Sequence, residues 1–172
     1  TFEKLREGGY LYVDKTAFIW KIASTETPYC LSRPRRFGKS LLLSTFEAYF
    51  VYGVLKSSDR YLRFVFLTGV TKFAQVSVFS DLNQLNDISM DFAYATLCGI
   101  TKEELGSTFV PELERQAVTN EMTSEAVVEM MTRRYDGYHF HPKGAGVFNP
   151  FSVLNSFSKQ EFGSYWFQTG TP

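Results

Sequence analysis

The most constraining feature of this chain is one succession of segments. An apolar run, Pro28-Tyr29-Cys30-Leu31-Ser32, leads into a basic turn, Arg33-Pro34-Arg35-Arg36-Phe37-Gly38, and then a leucine-rich segment opens at Lys39 or Ser40. The first run suits a short buried strand. The last carries Leu41, Leu42, Leu43, Phe46, Tyr49 and Phe50 at helical spacing, a set expected to face a core. A second strand candidate, Tyr61 to Leu67, ends at Thr68-Gly69. Strand, helix and strand in this order make a βαβ crossover, which demands parallel strands. The expected fold class is α/β.

Composition narrows the class further. Of 172 residues, 44% are hydrophobic and 17% aromatic, enough to build a real core and to exclude a disordered chain. No run approaches the roughly 18–20 apolar residues of a membrane span. The opening Thr-Phe-Glu-Lys-Leu shows no secretory leader. Cys30 and Cys98 lack metal-type spacing and read as reduced core thiols, so a cytoplasmic protein is expected. Net charge is zero but uneven: residues 1–72 hold 12 Lys/Arg against 6 Asp/Glu, and the remainder reverses those counts. A basic front half suits an anionic ligand, or reflects solvated faces; the acidic rear argues against nucleic acid wrapping the surface.

Flanking segments set the expected organisation. Gly8-Gly9 marks a turn, Tyr10 to Val13 a short strand, and Asp14 caps a helix over Lys15 to Ile22. Further on, Thr101-Lys102-Glu103-Glu104 is a capping box opening a helix that runs in pieces to about Thr119. Thr123 or Ser124 caps another, with Val127, Val128, Met130 and Met131 inward, ending where Gly137 takes a left-handed turn. Tyr138 to His141 and Val147-Phe148 form a hairpin, and Asn149-Pro150 starts a final helix through Phe157. Residues 1–100 then make a core with a shortened parallel sheet, and residues 101–172 a mainly helical lid containing one hairpin.

The basic turn carries the chemistry. Gly, four residues, Gly-Lys-Ser/Thr is the phosphate-binding loop pattern. Its backbone N–H groups and the following helix N-terminus point at phosphate oxygens. The expected ligands are Pro34, Arg35, Arg36, Phe37, Gly38, Lys39, Ser40 and Leu41. Gly38 admits a close approach, Lys39 reaches the β- and γ-phosphates, and the Ser40 hydroxyl ligates Mg²⁺. Arg33 stands where the first Gly is expected, and the three loop arginines add positive charge.

Beyond the loop, several segments resemble one known family. The run Tyr29 to Leu41 is similar to the bacterial AAA-ATPase-like family, which often carries a C-terminal PD-(D/E)XK nuclease-like domain. Tyr12 to Thr16, Phe66 to Phe73, Phe79 to Asn83, Tyr135 to Tyr138, Asn149 to Ser152 and Tyr165 to Pro172 resemble it too. That family's loop likewise has Arg-Pro-Arg-Arg-Phe, so Arg33 fits the resemblance. The resemblance implies a P-loop NTPase-like sheet, ATP and Mg²⁺ as ligands, catalytic roles for Lys39 and for Thr68 as γ-phosphate sensor, with Thr71 and Lys72 close behind, and an adenine bordered by Tyr12, Asp14 and Lys15. It also implies a long segment, absent at Phe50-Val51, that would supply the acidic strand for Mg²⁺ and the attacking water. No acid directly follows an apolar strand here; Asp81 and Asp87 sit in a polar loop. Hydrolysis should therefore be slow or absent.

The remaining signals are weak. His139 and His141 read as packed or solvated rather than as metal ligands. The aromatics Tyr135, Tyr138, Phe140, Tyr165, Trp166 and Phe167 read as packing before a partner surface. Two readings of function follow: an ATP-binding domain without efficient turnover, or a degenerate module serving protein association or self-association. Nucleic acid contact is expected only through an absent nuclease-like domain, although a basic loop on nucleic acid phosphates is a third possibility.

Overall fold

The computed structural model describes residues 1–25, 27–52, 66–69 and 85–165. Chain order is α1 (Phe2–Glu7), α2 (Thr16–Ala23), β1 (Tyr29–Ser32), α3 (Lys39–Tyr52), β2 (Phe66–Gly69), β3 (Asn86–Asp87) and a 3-10 turn (Phe92–Tyr94). Then come α4 (Lys102–Thr108), α5 (Val110–Thr119), α6 (Ser124–Tyr135), β4 (Asp136–Tyr138), β5 (Val147–Phe148) and α7 (Pro150–Lys159). Expectations for Thr71, Lys72, Asp81, Trp166, Phe167 and most of the Tyr61–Leu67 strand lie outside the described residues.

Three strands form a parallel sheet in the order β2-β1-β3. Leu31 pairs with Thr68 and Ser32 with Gly69, so β1 and β2 end together. Expected βαβ logic thus holds where β1, α3 and β2 are described. Asp87, expected in a loop, instead pairs with Cys30 on β3. Only a partner 57 positions away along the chain makes this polar dipeptide a strand, which is why its sequence does not announce one.

Two apolar clusters organise the side chains. The first joins Ile19 and Ile22 of α2, Tyr29 and Leu31 of β1, Leu42 and Phe46 of α3, and Ile88, Leu97 and Cys98. Each fully buried aliphatic or aromatic side chain there contributes about 1.5–3 kcal/mol. Leu43, expected inward, is 40% exposed, because it lies off the face of α3 that meets β1 and β2. Helix α3 runs unbroken across Phe50-Val51. The second cluster gathers Leu105, Phe109, Leu113, Val127, Met131, Val153 and Phe157 from α4 to α7. The β4–β5 hairpin bridges them, with Val147 in the first and Phe148 in the second.

Local signals account for most helix ends. Thr101 and Glu104 complete the capping box in both directions, Thr123 accepts from Ala126 N, and Asn149 accepts from Phe151 N ahead of Pro150. Asp14 accepts from Thr16 N at 2.8 Å, holding the start of α2.

Three expectations fail. Tyr10 to Val13 forms no strand: among the described residues no backbone pairs with it, and Tyr12 is held through its side chain, with its ring edge-on to Phe2 at 5.2 Å and its hydroxyl on Thr45. Gly137 is not left-handed, since α6 passes straight into β4 and extended backbone is needed there. His139 and His141 lie beyond the end of β4; His139 is exposed and His141 accepts from Lys143 N. Among the described residues, no helix is long and apolar enough to cross a membrane.

Candidate functional site

The turn between β1 and α3 sits at the shared C-terminal end of β1 and β2. Arg33 N donates to Gly69 O at 3.1 Å, tying the start of the turn to the end of β2. The chain then turns back through Arg36 at φ 67 and Gly38 at φ 80. Leu42 N donates to Gly38 O at 2.9 Å, the first bond of α3. A non-glycine residue at positive φ is uncommon and costs about 1 kcal/mol or more, so the surrounding contacts must hold Arg36 there. Glycine is required at position 38 by its φ alone, because a Cβ there would meet nothing within 4 Å.

The turn leaves a set of donors unspent. Among the described residues, Arg35 and Arg36 form a hydrogen-bonded turn, and the backbone N–H groups of Arg35, Arg36 and Gly38 to Leu41 find no backbone acceptor. Helix α3 has 14 residues, so its positive N-terminal end adds to this field. Lys39 Nζ donates to Arg33 O at 2.9 Å and to Pro34 O at 2.7 Å. Carbonyls orient the ammonium but do not neutralise it, and no carboxylate among the described residues pairs with it. Burial depresses the Lys39 pKa, with Arg35 adding repulsion. Ser40 is exposed at the second position of α3. Thr68, one residue before the Gly69 carbonyl that anchors the turn, has a buried Oγ1 without a partner among the described residues. A buried orphan hydroxyl is costly and asks for an occupant.

The three arginines, expected to add positive charge to the loop, take three different places. Arg33 is 1% exposed, with its guanidinium donating to Ser32 O, Ser89 O and Tyr94 O and stacking over Phe140 at 3.9 Å. Burial lowers its pKa to about 10. Its backbone φ is not positive, so glycine is not needed at position 33 in this turn. Arg35 is exposed, and Arg36 stacks over Phe151 at 3.8 Å. Phe37 points inward, edge-on to Tyr138 at 4.6 Å and to Phe140 at 5.4 Å.

Beside Gly38 opens an apolar cavity of about 150 Å³. Tyr12, Val13, Lys15, Leu41 and Cys98 line it, together with Pro150 and Leu154 of α7. Asp14, expected here, is not part of the lining; it is spent on the start of α2. Lys15 Nζ, which is buried, pairs with Glu104 at 2.5 Å, and Glu104 also accepts from Thr101 N. Burial pushes the Cys98 thiol up to about 11, against the pull of Arg33, Lys15 and Lys39. Sequence reasoning did not place Cys98, Pro150 and Leu154 at the site, because they lie far from the turn in the chain.

Comparison with known proteins meets this geometry at its front end. The family described as "Predicted AAA-ATPase" matches residues 1–52, which hold the turn and α3 in full. This part of the chain is similar to an ATPase-like domain. Over the whole chain, an uncharacterized protein in the vnfD 5′ region of Azotobacter chroococcum mcd 1 is 28% identical over 289 residues, covering 100% of this chain and 53% of that protein. The chain thus spans about half the length of that relative. No solved structure matches it.

Proposed function

We propose that this chain binds ATP through the turn at Arg33–Leu41 and turns it over slowly. The observation that carries the reading is the run of unpaired N–H groups around Gly38 beside a lysine held only by carbonyls. Such a cradle suits an anion. Lys39 would exchange Arg33 O and Pro34 O for β- and γ-phosphate oxygens, a charge-assisted contact stronger than either carbonyl bond. Thr68 would offer its hydroxyl to the γ-phosphate, and the adenine would enter the apolar cavity past Gly38. Residues 1–100 act here as the nucleotide-binding core and residues 101–172 as a lid.

Mg²⁺ fits this donor set in part. The exposed Ser40 hydroxyl would hold it, and its charge would offset that of the phosphates. Slow turnover is supported by the sequence, where no acid directly follows an apolar strand.

The test is calorimetric titration of ATP–Mg²⁺ into the wild type and Lys39→Ala. The lysine variant should lose at least about tenfold in affinity, the size of one charged hydrogen bond. Equal affinities would end this reading.

A further inference from the structure

We propose that Arg36 couples occupancy of the turn to helix α7, standing parked on Phe151 when the turn is empty and leaving that ring for a phosphate when it is filled. This regulation rests on the nucleotide reading above. Arg36 combines features that are hard to explain as packing. Its backbone sits at φ 67, a conformation that a purely structural turn would assign to glycine or asparagine. Its side chain is exposed, yet the guanidinium is placed 3.8 Å from the centre of the Phe151 ring. Unlike the guanidinium of Arg33, it has no hydrogen-bond partner among the described residues, so five donors remain unspent.

The parking place matters because of what α7 does next. Asn149 caps α7 by accepting from Phe151 N, so the ring is fixed to the helix's first turn. Pro150 and Leu154, on either side of Phe151, line the cavity that opens beside Gly38. One helix end therefore touches both the turn, through Arg36, and the space past it. An exposed cation over a half-buried ring is a weak contact, whereas a guanidinium fork on phosphate oxygens is among the strongest polar contacts available to a protein. Parking is also placed against the positive end of α7, where a cation is disfavoured and an anion is welcome. Phosphate should win the guanidinium, and the release of Phe151 would report the nucleotide to α7 and the second apolar cluster, against which Phe151 packs.

The coupling has a sign that simple damage cannot imitate. Phe151→Leu removes the competing ring and should tighten binding of both ATP–Mg²⁺ and inorganic tripolyphosphate by roughly two- to fivefold, the worth of an exposed cation–π contact. Arg36→Lys should weaken binding of both probes, and adding Phe151→Leu to it should then gain nothing. Phe151→Met, which keeps bulk without a ring, should reproduce the gain if leucine unsettles α7. Unchanged or weaker binding in both ring variants, or a gain that persists when Phe151→Leu is combined with Arg36→Lys, would overturn the proposal. Should the wild type bind with Lys39 dependence but show no such gain, the coupling alone fails. Absence of any binding by the wild type would remove the nucleotide reading and the coupling with it.

Discussion

Two glycines separate the energetic cost of a backbone conformation from the cost of a collision. Gly38 and Gly99 both lie at positive φ, 80 and 99. At Gly38 an added Cβ meets nothing within 4 Å, so Gly38→Ala carries only the conformational penalty of about 1–2 kcal/mol. At Gly99 the same Cβ would lie 2.8 Å from Val147 Cβ and 3.3 Å from Phe148 O. Val147 is fully buried, and the Ile100–Phe148 bridge, with bonds of 2.8 and 3.2 Å, keeps β5 from retreating. Overpacking adds about 1–3 kcal/mol, giving about 2–5 kcal/mol for Gly99→Ala. For a domain of this size each kcal/mol moves Tm by about 2–4 °C. Urea unfolding at 25 °C should therefore rank Gly99→Ala as the more damaged. Binding should rank them the other way, with Gly38→Ala losing ATP affinity because its amides no longer converge, and Gly99→Ala retaining it while folded. A Gly38→Ala protein less stable than Gly99→Ala, or one that binds ATP normally, would refute the reasoning.

Other consequences follow from the cavity wall. Glu104→Ala strands the buried ammonium of Lys15 and removes half of the α4 capping box; with Glu104 itself 27% exposed, the loss should be about 3 kcal/mol, the lower end for a broken buried pair, measured by chemical denaturation. A smaller loss than Arg133→Ala, which breaks an exposed i,i+4 pair, would contradict that account. Cys98, its thiol raised to about 11, should react with iodoacetamide slowly at pH 8, faster by about tenfold per pH unit towards 11, and more slowly still with ATP–Mg²⁺ bound. Because the folded pKa lies above the ordinary thiol value of 9.0, this thiol's contribution to stability is complete below about pH 9 and is lost as pH climbs through about 11. Rapid alkylation at pH 8, unaffected by nucleotide, would contradict this placement of the thiol.

What the chain determines alone is what neighbours in sequence can settle. The helix from Lys39, the capping box at Thr101 and the Asn149-Pro150 helix start rest on contacts within about four residues, so their signals are complete where they stand, whereas the apolar run Tyr29–Ser32 announces a strand whose partners, Phe66–Gly69, only the fold supplies. Position and charge of the candidate loop were legible for the same reason. Its internal wiring was not. Arg33 reads in sequence as added positive charge at the start of the loop, yet its partners Ser89 and Tyr94 lie 56 and 61 positions away, and together with Phe140 they take it into the interior. Tyr10 to Val13 has strand composition but no ladder to join, and Asn86–Asp87 has none of that composition but lies beside β1. A strand is completed by its neighbour and a buried cation by its acceptors, so both are decided only once the chain has closed upon itself.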